Sequence, residues 1–490
     1  MKLDNLLKNL EYTCIQGSIS GVEVSRIVYD SRKASEGDLF VCISGAVSDG
    51  HSFAREVAEK GVSVIVAEKP VDVPASVTVI QTEDSRIALA VLSAEYFGNP
   101  ANELITIGIT GTKGKTTTTY MIRSVLEASG IKTGLIGTIE TITGDRHIPS
   151  SNTTPESYVI QETFREMADA GCKCVVMEVS SQGLMLHRTG GFTFDYGVFT
   201  NLAPDHIGPA EHKDLADYIY CKSLLFRQCR HGIFNADDSH LFEILERHTC
   251  DVETYGFSSN ADLRASSVEL TMKNGLLGVS YHIDGLAEMD VETSMPGKFS
   301  VYNSMIAVAI CRHFNIPDEI ILKSLSQVRV KGRVELLDVS PEFTVMIDYA
   351  HNAMSLESLL ETLNEYKPAR LVCLFGCGGN RSRERRFEMG EVSSRLAGLT
   401  IITSDNPRNE EPEAIIEDIV TGVEKAGGEY IKITGRPEAI RYAIENAKKG
   451  DVIVLAGKGH EDYQEIKGQK YHMDERELVA EVVRDGNFIR

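Results

Sequence analysis

Lys115 and Thr116 have the residue types and the spacing that bind a nucleoside triphosphate. They end a segment in which a short β-branched apolar run, 104–110, is followed by Gly111 and Gly114. Glycines let backbone N–H groups approach phosphates closely, and a helix N-terminus adds partial positive charge. Lys115 is therefore expected to reach the β- and γ-phosphates of ATP, and Thr116 to ligate Mg²⁺.

A strand and a helix must hold this loop in place. The run 104–110 predicts a buried parallel strand. Apolar residues at helical spacing between 121 and 126 predict a helix that begins at Lys115 and stops near Gly130. The strict phosphate-loop pattern has glycine at position 109, where this chain has Ile109. Because the strand and helix contexts are both present, we interpret the segment as an ATP site.

Two further strands of the middle segment end in residues suited to the same chemistry. The apolar run 174–177 ends in Glu178, and the run 196–202 leads to Asp205 and His206. In a doubly wound sheet the carboxyl ends of parallel strands meet at one edge. Glu178 is thus expected to ligate Mg²⁺ beside the phosphate loop, whereas the residues alone leave a functional and a structural role for His206 equally open.

The last third of the chain repeats this organisation. Four apolar runs lead into polar turns that contain Asp, Asn, Arg, His and Glu, at 348–351, 376–381, 404–408 and 457–461. Strand ends of this kind bind ligands in open α/β sheets. They predict a second substrate surface, which we expect to face the ATP loop across a cleft.

Composition limits the class of protein. The 490-residue chain has a formal net charge of −21 and 42% hydrophobic residues, which is typical of a soluble protein of about three domains. Such acidity argues against general nucleic-acid binding. The ten cysteines show no CxxC pair, which predicts reduced core thiols in a cytosolic protein. With no signal-peptide core and no apolar run of spanning length, we expect no membrane span and a cytoplasmic location.

The chain divides at two positions in this interpretation. Asn99-Pro100 marks a linker after a small N-terminal α/β domain, 1–103. A central domain with a P-loop ATPase-like, doubly wound parallel sheet follows over 104–335, and a Rossmann-like α/β domain over 336–490. The expected fold class is therefore α/β with three domains.

Together these motifs resemble those of the Mur ligases, the ATP-dependent amino-acid-adding enzymes of peptidoglycan synthesis. The resemblance covers essentially the whole chain and depends on the stretches 110–117, 178–181, 201–206, 348–351 and 405–407. Within the family it is greatest to the branch that adds the third amino acid. It implies a monomer whose domains bind, in chain order, a UDP-sugar, ATP and an amino acid. Its substrates would be UDP-N-acetylmuramoyl-L-alanyl-D-glutamate, ATP and a diamino acid.

The resemblance also implies the chemistry. ATP phosphorylates a terminal carboxylate, and an amine attacks the acyl phosphate through a tetrahedral intermediate, so that catalysis neutralises phosphate charge and aligns the reactants. Two Mg²⁺ ions take part, with Thr116, Glu178, His206 and Lys222 as ligands. Lys222 matches a lysine that the family carries as a carbamate, which reverses its charge and supplies oxygen ligands.

The family's motifs assign further positions in this sequence. The implied catalytic residues are Lys115, Glu178, His206 and Lys222; the ATP contacts are Gly111, Thr112, Lys113, Gly114, Lys115, Thr116, Thr117, Asn303, Arg333 and Asp348; the UDP-sugar-peptide contacts are Ser31, Thr153, Thr154, Ser180, Arg188 and Lys222; and the amino-acid contacts are Asp405, Asn406, Arg408, Gly457 and Glu461. Arg381, at the end of another predicted strand, is a further candidate for the amino-acid contacts. Two positions depart from the pattern: Leu186 replaces a frequent glutamine, and Lys113 a common asparagine.

The sequence gives two indications of the added amino acid. The stretch 205–212 and Lys113 resemble the lysine-adding branch, whereas 405–408 and 457–461 resemble the diaminopimelate-adding branch. The second group lies in the predicted acceptor domain, where Arg408 offers a planar fork for a carboxylate and Glu461 an acceptor for an ammonium. We therefore expect meso-2,6-diaminopimelate, with L-lysine as the alternative.

Two other classes are weighed against this interpretation. A folylpolyglutamate synthetase shares the central layout but normally begins near the phosphate loop, which argues against it here. A non-catalytic P-loop regulatory protein would not need Glu178, His206 and Lys222 together.

Overall fold

The structure, a computed structural model, describes residues 1–45, 48–208, 211–273 and 275–486. It divides into two units, the first comprising Met1–Asp262 with Ala309–Phe314, and the second Leu263–Val308 with the chain from Asn315 onward. Pro209 and Ala210, part of the stretch that resembles the lysine-adding branch, lie outside the described residues. The predicted three-part division, at 103 and 335, stays a prediction.

The first unit alternates strands and helices. Its strands are β1 (Thr13–Gln16), β2 (Ile27–Val28), β3 (Leu39–Val41), β4 (Val64–Ala67), β5 (Thr78–Gln81), β6 (Ile105–Thr110), β7 (Thr133–Ile136), β8 (Glu140–Thr143), β9 (Arg146–Pro149), β10 (Cys174–Glu178), β11 (Phe194–Phe199), β12 (Cys229–Asn235) and β13 (Asp251–Gly256). Its helices are α1 (Leu3–Leu6), α2 (Ala54–Glu59), α3 (Ser85–Tyr96), α4 (Lys115–Ala128), α5 (Ser157–Asp169), α6 (Ser181–Met185), α7 (Leu215–Ser223) and α8 (Leu241–Leu245).

Two sheets organise this unit. The first has the order β1-β5-β4-β3-β2, in which only β1 is antiparallel to its neighbour. The second runs β13-β12-β11-β6-β10-β7-β8-β9, and it is parallel from β13 to β7. Strand β6 lies between β10 and β11, so the chain order reverses beside it, and ligands bind at such switch points.

The second unit begins with an antiparallel set and continues as a parallel sheet. Its strands are β14 (Leu263–Lys273), β15 (Leu276–Gly285), β16 (Met289–Thr293), β17 (Glu335–Leu337), β18 (Thr344–Asp348), β19 (Arg370–Phe375), β20 (Leu399–Ile402), β21 (Tyr430–Lys432), β22 (Asp451–Ala456), β23 (Tyr463–Ile466) and β24 (Gln469–His472). Its helices are α9 (Lys298–His313, whose last residues belong to the first unit), α10 (Asp318–Gln327), α11 (Ala353–Glu365), α12 (Glu384–Leu396), α13 (Pro412–Ala426), α14 (Arg436–Glu445) and α15 (Glu475–Asp485).

The parallel sheet of this unit has the order β17-β18-β22-β19-β20-β21, with only β17 antiparallel. The four runs predicted to end in polar turns are therefore neighbours, β18, β22, β19 and β20. Apolar side chains on both faces of these strands are buried under helices, as a parallel sheet requires.

Several local predictions are confirmed. Helix α4 begins at Lys115, buries Met121, Ile122, Val125 and Leu126, and ends at Ala128, two residues before Gly130. The cysteines are all free thiols, and Cys14 alone is not fully buried. Within the described residues, helices that combine the length and the apolarity needed to cross a membrane are absent.

Replacement of Phe164 by alanine tests the core beneath the central sheet. Phe164 of α5 is fully buried among apolar side chains of this unit. We expect Phe164→Ala to lower the free energy of unfolding by about 3–5 kcal/mol, because it leaves a cavity. Urea unfolding measures the change. Phe242→Ala is the matched control, since Phe242 is 84% exposed; equal losses in both variants would contradict the described core.

Candidate active site

The phosphate loop and two polar strand ends lie at one edge of the central sheet. Ile109 of β6 pairs with Glu178 of β10, and Thr110 pairs with Phe199 of β11. The backbone N–H of Thr112 donates to the carbonyl of Asn201 beyond β11 (2.9 Å). The phosphate loop, Glu178 and the residues that follow β11 are therefore brought together at the carboxyl ends of adjacent strands.

Glu178 is a buried carboxylate surrounded by threonine donors. It is 1% exposed, and the hydroxyl of Thr116 lies 2.9 Å from its Oε1 and 3.0 Å from its Oε2. The backbone N–H of Thr138 donates to Oε1 (2.8 Å) and its hydroxyl to Oε2 (3.0 Å). Hydroxyl and carboxylate oxygens are hard ligands of the kind that Mg²⁺ prefers, so this pair of residues fits the predicted metal.

The phosphate loop is held by its own backbone and by the end of β11. The ammonium of Lys115 donates to the carbonyls of Gly111 (2.8 Å) and Thr112 (3.1 Å). The side chain of Asn201 accepts from the N–H of Lys113 (3.0 Å) and donates to its carbonyl (3.1 Å). Gly111 has φ +147°, and a Cβ there would lie 1.9 Å from the hydroxyl of Thr200. Glycine is thus required at this position.

Lys222 lies under the same loop. It is 1% exposed, its Nζ donates to the carbonyl of Gly111 (2.9 Å), and it lies 4.4 Å from the ring centre of Tyr218. Burial, and secondarily the charge of Lys115, lower the pKa of Lys222 well below its ordinary value. The buried position therefore disfavours the charged form of this side chain.

His206 is not joined to Glu178 or Lys222 by a contact within the described residues. Its Nδ1 lies 2.9 Å from Oε1 of Glu211, its side chain is 53% exposed, and its backbone has φ +55°. Asp205 accepts the N–H of His206 (3.0 Å). The predicted role of His206 as a metal ligand stays a prediction.

Thr154, from the loop before α5, contacts Ser180, which stands two residues after Glu178. The hydroxyl of Thr154 donates to the Glu178 carbonyl (3.0 Å) and accepts the N–H of Ser180 (2.9 Å). Ser180 in turn caps α6, because its Oγ accepts the N–H of Gly183 (3.0 Å). The hydroxyl of Thr153 lies 3.1 Å from that of Thr138.

Arg188 and Ser31 are the other residues predicted to bind the UDP-sugar-peptide. Arg188 donates from Nη1 to the Thr154 carbonyl (3.0 Å) and from Nε to Glu156 (3.0 Å), so it is held by the loop that carries Thr154. Ser31 begins a 3₁₀ turn in the N-terminal sheet, and its carbonyl accepts from Lys60 (2.9 Å). These contacts position the residues and leave their ligand a prediction.

In the second unit Arg333, Tyr349 and His460 pack together, with the two rings tilted by 46°. The Arg333 guanidinium lies 4.6 Å from the ring centre of Tyr349, and the ring of His460 lies 4.9 Å from it. Asp348 accepts the N–H of Val334 (2.8 Å), which fixes the loop that carries Arg333. The predicted nucleotide contacts Arg333 and Asp348 are therefore neighbours, whereas Asn303 is a buried residue of α9.

Two glycines make this arrangement possible. Gly332 has φ +67°, and a Cβ there would lie 2.1 Å from the backbone of Gly459 and of His460. Gly459 has φ +53°, and its Cβ would lie 2.6 Å from that of Tyr349. The two loops that carry Arg333 and His460 are therefore in backbone-to-backbone contact.

The predicted amino-acid contacts surround the turn 404–408. Arg408, with φ +53°, donates from Nε to Glu465 (3.1 Å) and from Nη1 to the Gly379 carbonyl (2.8 Å). Gly379 N–H donates back to the Asn406 carbonyl (2.9 Å). The sequence argument treated the Arg408 fork as available to a ligand; the structure shows that two of its nitrogens already have protein partners.

The other predicted residues differ in how they are held. A Cβ on Gly457 (φ +106°) would lie 3.1 Å from Oδ2 of Asp405, which is 8% exposed. Arg381 is exposed, on a loop whose Asn380 N–H donates to Glu410 (2.5 Å). The structure therefore keeps Asp405 and Gly457 together and leaves Arg381 on the surface.

Sequence reasoning missed four residues that hold the site. Thr138 follows an ordinary strand, Tyr218 is one of many tyrosines, and neither stands in a motif. His212 joins Ser181 (2.8 Å) to Asp217 (3.2 Å); it ends the stretch 205–212, which was noticed, but no role was given to its side chain. Lys458 lies inside the glycine turn 457–461, so its motif was noticed but its side chain was not.

A glycine loop between a parallel strand and a helix, with a buried glutamate on the next strand, defines the first unit as a P-loop-type nucleotide-binding domain. Three family profiles match the chain: "Mur ligase family, catalytic domain" at 23–97, "Mur ligase middle domain" at 109–311, and "Mur ligase, glutamate ligase domain" at 332–459. The chain belongs to the Mur ligase family, as its motifs predict.

Individual relatives are similar over the full length. Two proteins named UDP-N-acetylmuramoyl-L-alanyl-D-glutamate--2,6-diaminopimelate ligase, from Clostridium botulinum and (as ligase 1) Clostridium acetobutylicum, are 41% and 42% identical, over 99% of this chain and 100% of their own. A solved structure of a ligase with that name has a TM-score of 0.74 at 25% identity and covers 100% of both chains. The predicted three-domain α/β fold class is confirmed.

The titration of His460 should make the free energy of unfolding depend on pH, which tests its packing against Tyr349. Burial, and then the charges of Arg333, Lys331 and Arg476, lower the pKa of His460 to about 4. Because the unfolded histidine titrates near 6.5, the unfolded state binds more protons between these values. His460 therefore contributes stability above about pH 6.5 that is lost as the pH falls toward 4, roughly 3 kcal/mol in all.

We expect His460→Asn to unfold in urea with a weaker dependence on pH over this range than the unaltered protein. The exposed His472 is the control. Its pKa is raised by its hydrogen bond to Glu477, so its removal cannot reduce the stability that the protein loses as the pH falls. A pH profile of His460→Asn that parallels the unaltered protein would contradict the buried, neutral imidazole.

Proposed function

We propose that this chain is an ATP-dependent ligase that adds meso-2,6-diaminopimelate to UDP-N-acetylmuramoyl-L-alanyl-D-glutamate. The observation that carries the proposal is the buried carboxylate of Glu178 held against Thr116 at the first turn of α4. A carboxylate in that place, beside a phosphate loop, serves phosphoryl transfer.

Mg²⁺ is the metal that the residues fit. Thr116 and Glu178 would hold one ion through oxygen atoms, and His206 with a carbamylated Lys222 would hold the second. When bound, Mg²⁺ neutralises phosphate charge and lowers the cost of charge that develops in the transition state.

The buried amine of Lys222 supports the carbamate. A neutral amine attacks CO₂, and the product loses one proton to give a carbamate, Lys–NH–COO⁻. An ammonium has no lone pair for this reaction, so the lowered pKa of Lys222 favours it. A negative carbamate under the loop would also remove the repulsion between Lys222 and Lys115.

The chain's own residues then bind and align the reactants. Lys115 and the loop N–H groups bind the β- and γ-phosphates, and Thr154 and Ser180 orient the peptide carboxylate. That carboxylate attacks the γ-phosphorus and ADP leaves; the amine then attacks the acyl carbon and phosphate leaves. Alignment of this kind supplies much of the rate.

Diaminopimelate is proposed as the acceptor for two reasons. The relatives with 41% and 42% identity carry its name. Diaminopimelate also differs from lysine by a carboxylate. Asn406 and Nη2 of Arg408, the nitrogen not used by Glu465 and Gly379, are proposed as its donors, and Glu461 as an acceptor for the adjoining ammonium. A site built for such groups rejects analogues that lack them, because its polar groups are left unpaired.

The remaining parts of the proposal follow the sequence. Residues 1–103 would bind the UDP-sugar, 104–335 ATP, and 336–490 the amino acid. We propose a monomer in the cytoplasm, which agrees with ten free thiols.

A ligation assay tests the function. We expect purified protein with ATP, Mg²⁺ and UDP-N-acetylmuramoyl-L-Ala-D-Glu to form a product whose mass equals the condensation of the precursor with diaminopimelate. With L-lysine, kcat/KM should be lower by at least about 100-fold, since the carboxylate donors lack a partner. Equal phosphate release with both amino acids would overturn the choice of acceptor, and no product with either would overturn the ligase.

Glu178→Gln tests the proposed metal site. The amide keeps the size of the side chain but removes its charge, so we expect kcat to fall by on the order of 100-fold or more and the Mg²⁺ requirement to rise. Glu140→Gln is the matched control, because Glu140 of β8 accepts from the hydroxyl of Tyr120 in α4 (2.6 Å) and is not a proposed metal ligand. Unchanged ADP release by Glu178→Gln would favour the non-catalytic alternative.

A further inference from the structure

Lys458 is a buried lysine in the middle of the predicted amino-acid site. It follows β22, lies between Gly457 and Gly459, and is 0% exposed. Lysine is almost never fully buried unless it is paired. The role of this side chain must therefore be found among its partners.

All three protons of the Lys458 ammonium are used. Nζ donates to Oδ1 of Asn406 (3.0 Å), to Oε2 of Glu461 (2.8 Å) and to the carbonyl of Tyr463. Asn406 and Glu461 belong to different loops, and both are predicted amino-acid contacts. Lys458 bridges them, beside a direct hydrogen bond from Asn406 to Glu461.

These bonds determine which way the Asn406 amide faces. Its Oδ1 accepts from Lys458 and from the N–H of Glu465 (2.9 Å), and its Nδ2 donates to Oε2 of Glu461 (2.9 Å). The carbonyl side of the amide is thus saturated by donors. The second N–H of Nδ2, which has no partner in the described part of the chain, makes Asn406 a donor toward any ligand.

The same bonds determine what Glu461 can offer. Its Oε2 already accepts from Lys458 and Asn406, and its side chain is 17% exposed. Oε1, with no hydrogen bond to the described residues, remains as an acceptor. A donor for a carboxylate and an acceptor for an ammonium are therefore held side by side.

We propose that Lys458 is a positioning residue for specificity. It favours an acceptor whose distal end, the end that does not react, carries a carboxylate and an ammonium on one carbon. The proposal depends on the proposed function, since it concerns the same amino-acid site. Lys458 does not touch the acceptor. It orients Asn406 toward the carboxylate and Glu461 toward the ammonium, and its charge compensates the buried part of Glu461.

The distal end of diaminopimelate has this head, whereas the distal end of lysine has only the ammonium. Loss of Lys458 therefore weakens the binding of diaminopimelate more than it weakens the binding of lysine. Binding of ATP and the UDP-precursor should be unaffected, because within the described residues Nζ of Lys458 bonds only to Asn406, Glu461 and Tyr463, none of which is proposed to bind them.

Lys458→Met is the principal test, because methionine keeps the length and removes the charge and the donors. We expect KM for diaminopimelate to rise at least about tenfold, with KM for ATP and for the UDP-precursor unchanged and kcat at saturation within about threefold. The ratio of kcat/KM for diaminopimelate over lysine should fall. Lys458→Arg keeps the charge and the donors, so its KM for diaminopimelate should rise less than that of Lys458→Met.

Lys425→Met is the matched control, because Lys425 pairs with Glu391 on the surface of the same unit and is 73% exposed; it should leave every constant unchanged. Circular dichroism and urea unfolding establish that each variant is folded. If Lys458→Met does not fold, Lys458→Gln, which keeps an uncharged donor, takes its place, with an intermediate rise in KM expected.

The outcomes separate the two proposals. Failure of the unaltered protein to ligate diaminopimelate overturns the proposed function and this inference together. Ligation by the unaltered protein, with a folded Lys458 variant whose KM for diaminopimelate is unchanged, overturns the inference alone. So does an equal rise in KM for ATP, which would indicate a general structural role.

Discussion

A buried carboxylate is costly unless donors surround it, and Glu178 meets that condition only in one arrangement of the chain. Its donors come from the first turn of α4 and from Thr138 after β7, so strands β6, β7 and β10 must be adjacent and in register. The charge therefore couples the sheet order to the site. Removal of one donor would leave a charge that the interior cannot solvate, which makes the phosphate loop and the sheet edge a single cooperative feature.

The second unit follows the same rule with the opposite sign. Lys458 is a buried cation, and three loop acceptors surround it. In both units a charge is placed at the carboxyl end of a parallel strand, where turns can supply partners from several directions. Buried charges of this kind contribute little net stability, but they restrict the loops to one geometry, as a site for small polar substrates requires.

Much of this could be predicted because parallel α/β folds leave a strong pattern in sequence. Apolar runs that end in glycine and polar residues gave β6, β10, β18 and β22 and the side chains at their ends. What could not be predicted depends on pairing between distant segments. The contact of Thr138 with Glu178 spans 40 residues, and no local pattern indicates it. The partners of Arg408 were missed for the same reason, since the type of a residue does not reveal which hydrogen bonds it already makes within the protein.

The contact between Gly332 and Gly459 has a consequence for how this protein can vary. Each position has a left-handed backbone, and a methyl group at Gly332 would overlap main-chain atoms that no rotamer change can move. In a library of all single substitutions, Gly332 would be as intolerant as a residue that takes part in the reaction. Neighbouring surface positions would continue to change in sequence. The contact between these two loops would therefore remain constant while the surrounding sequence diverges.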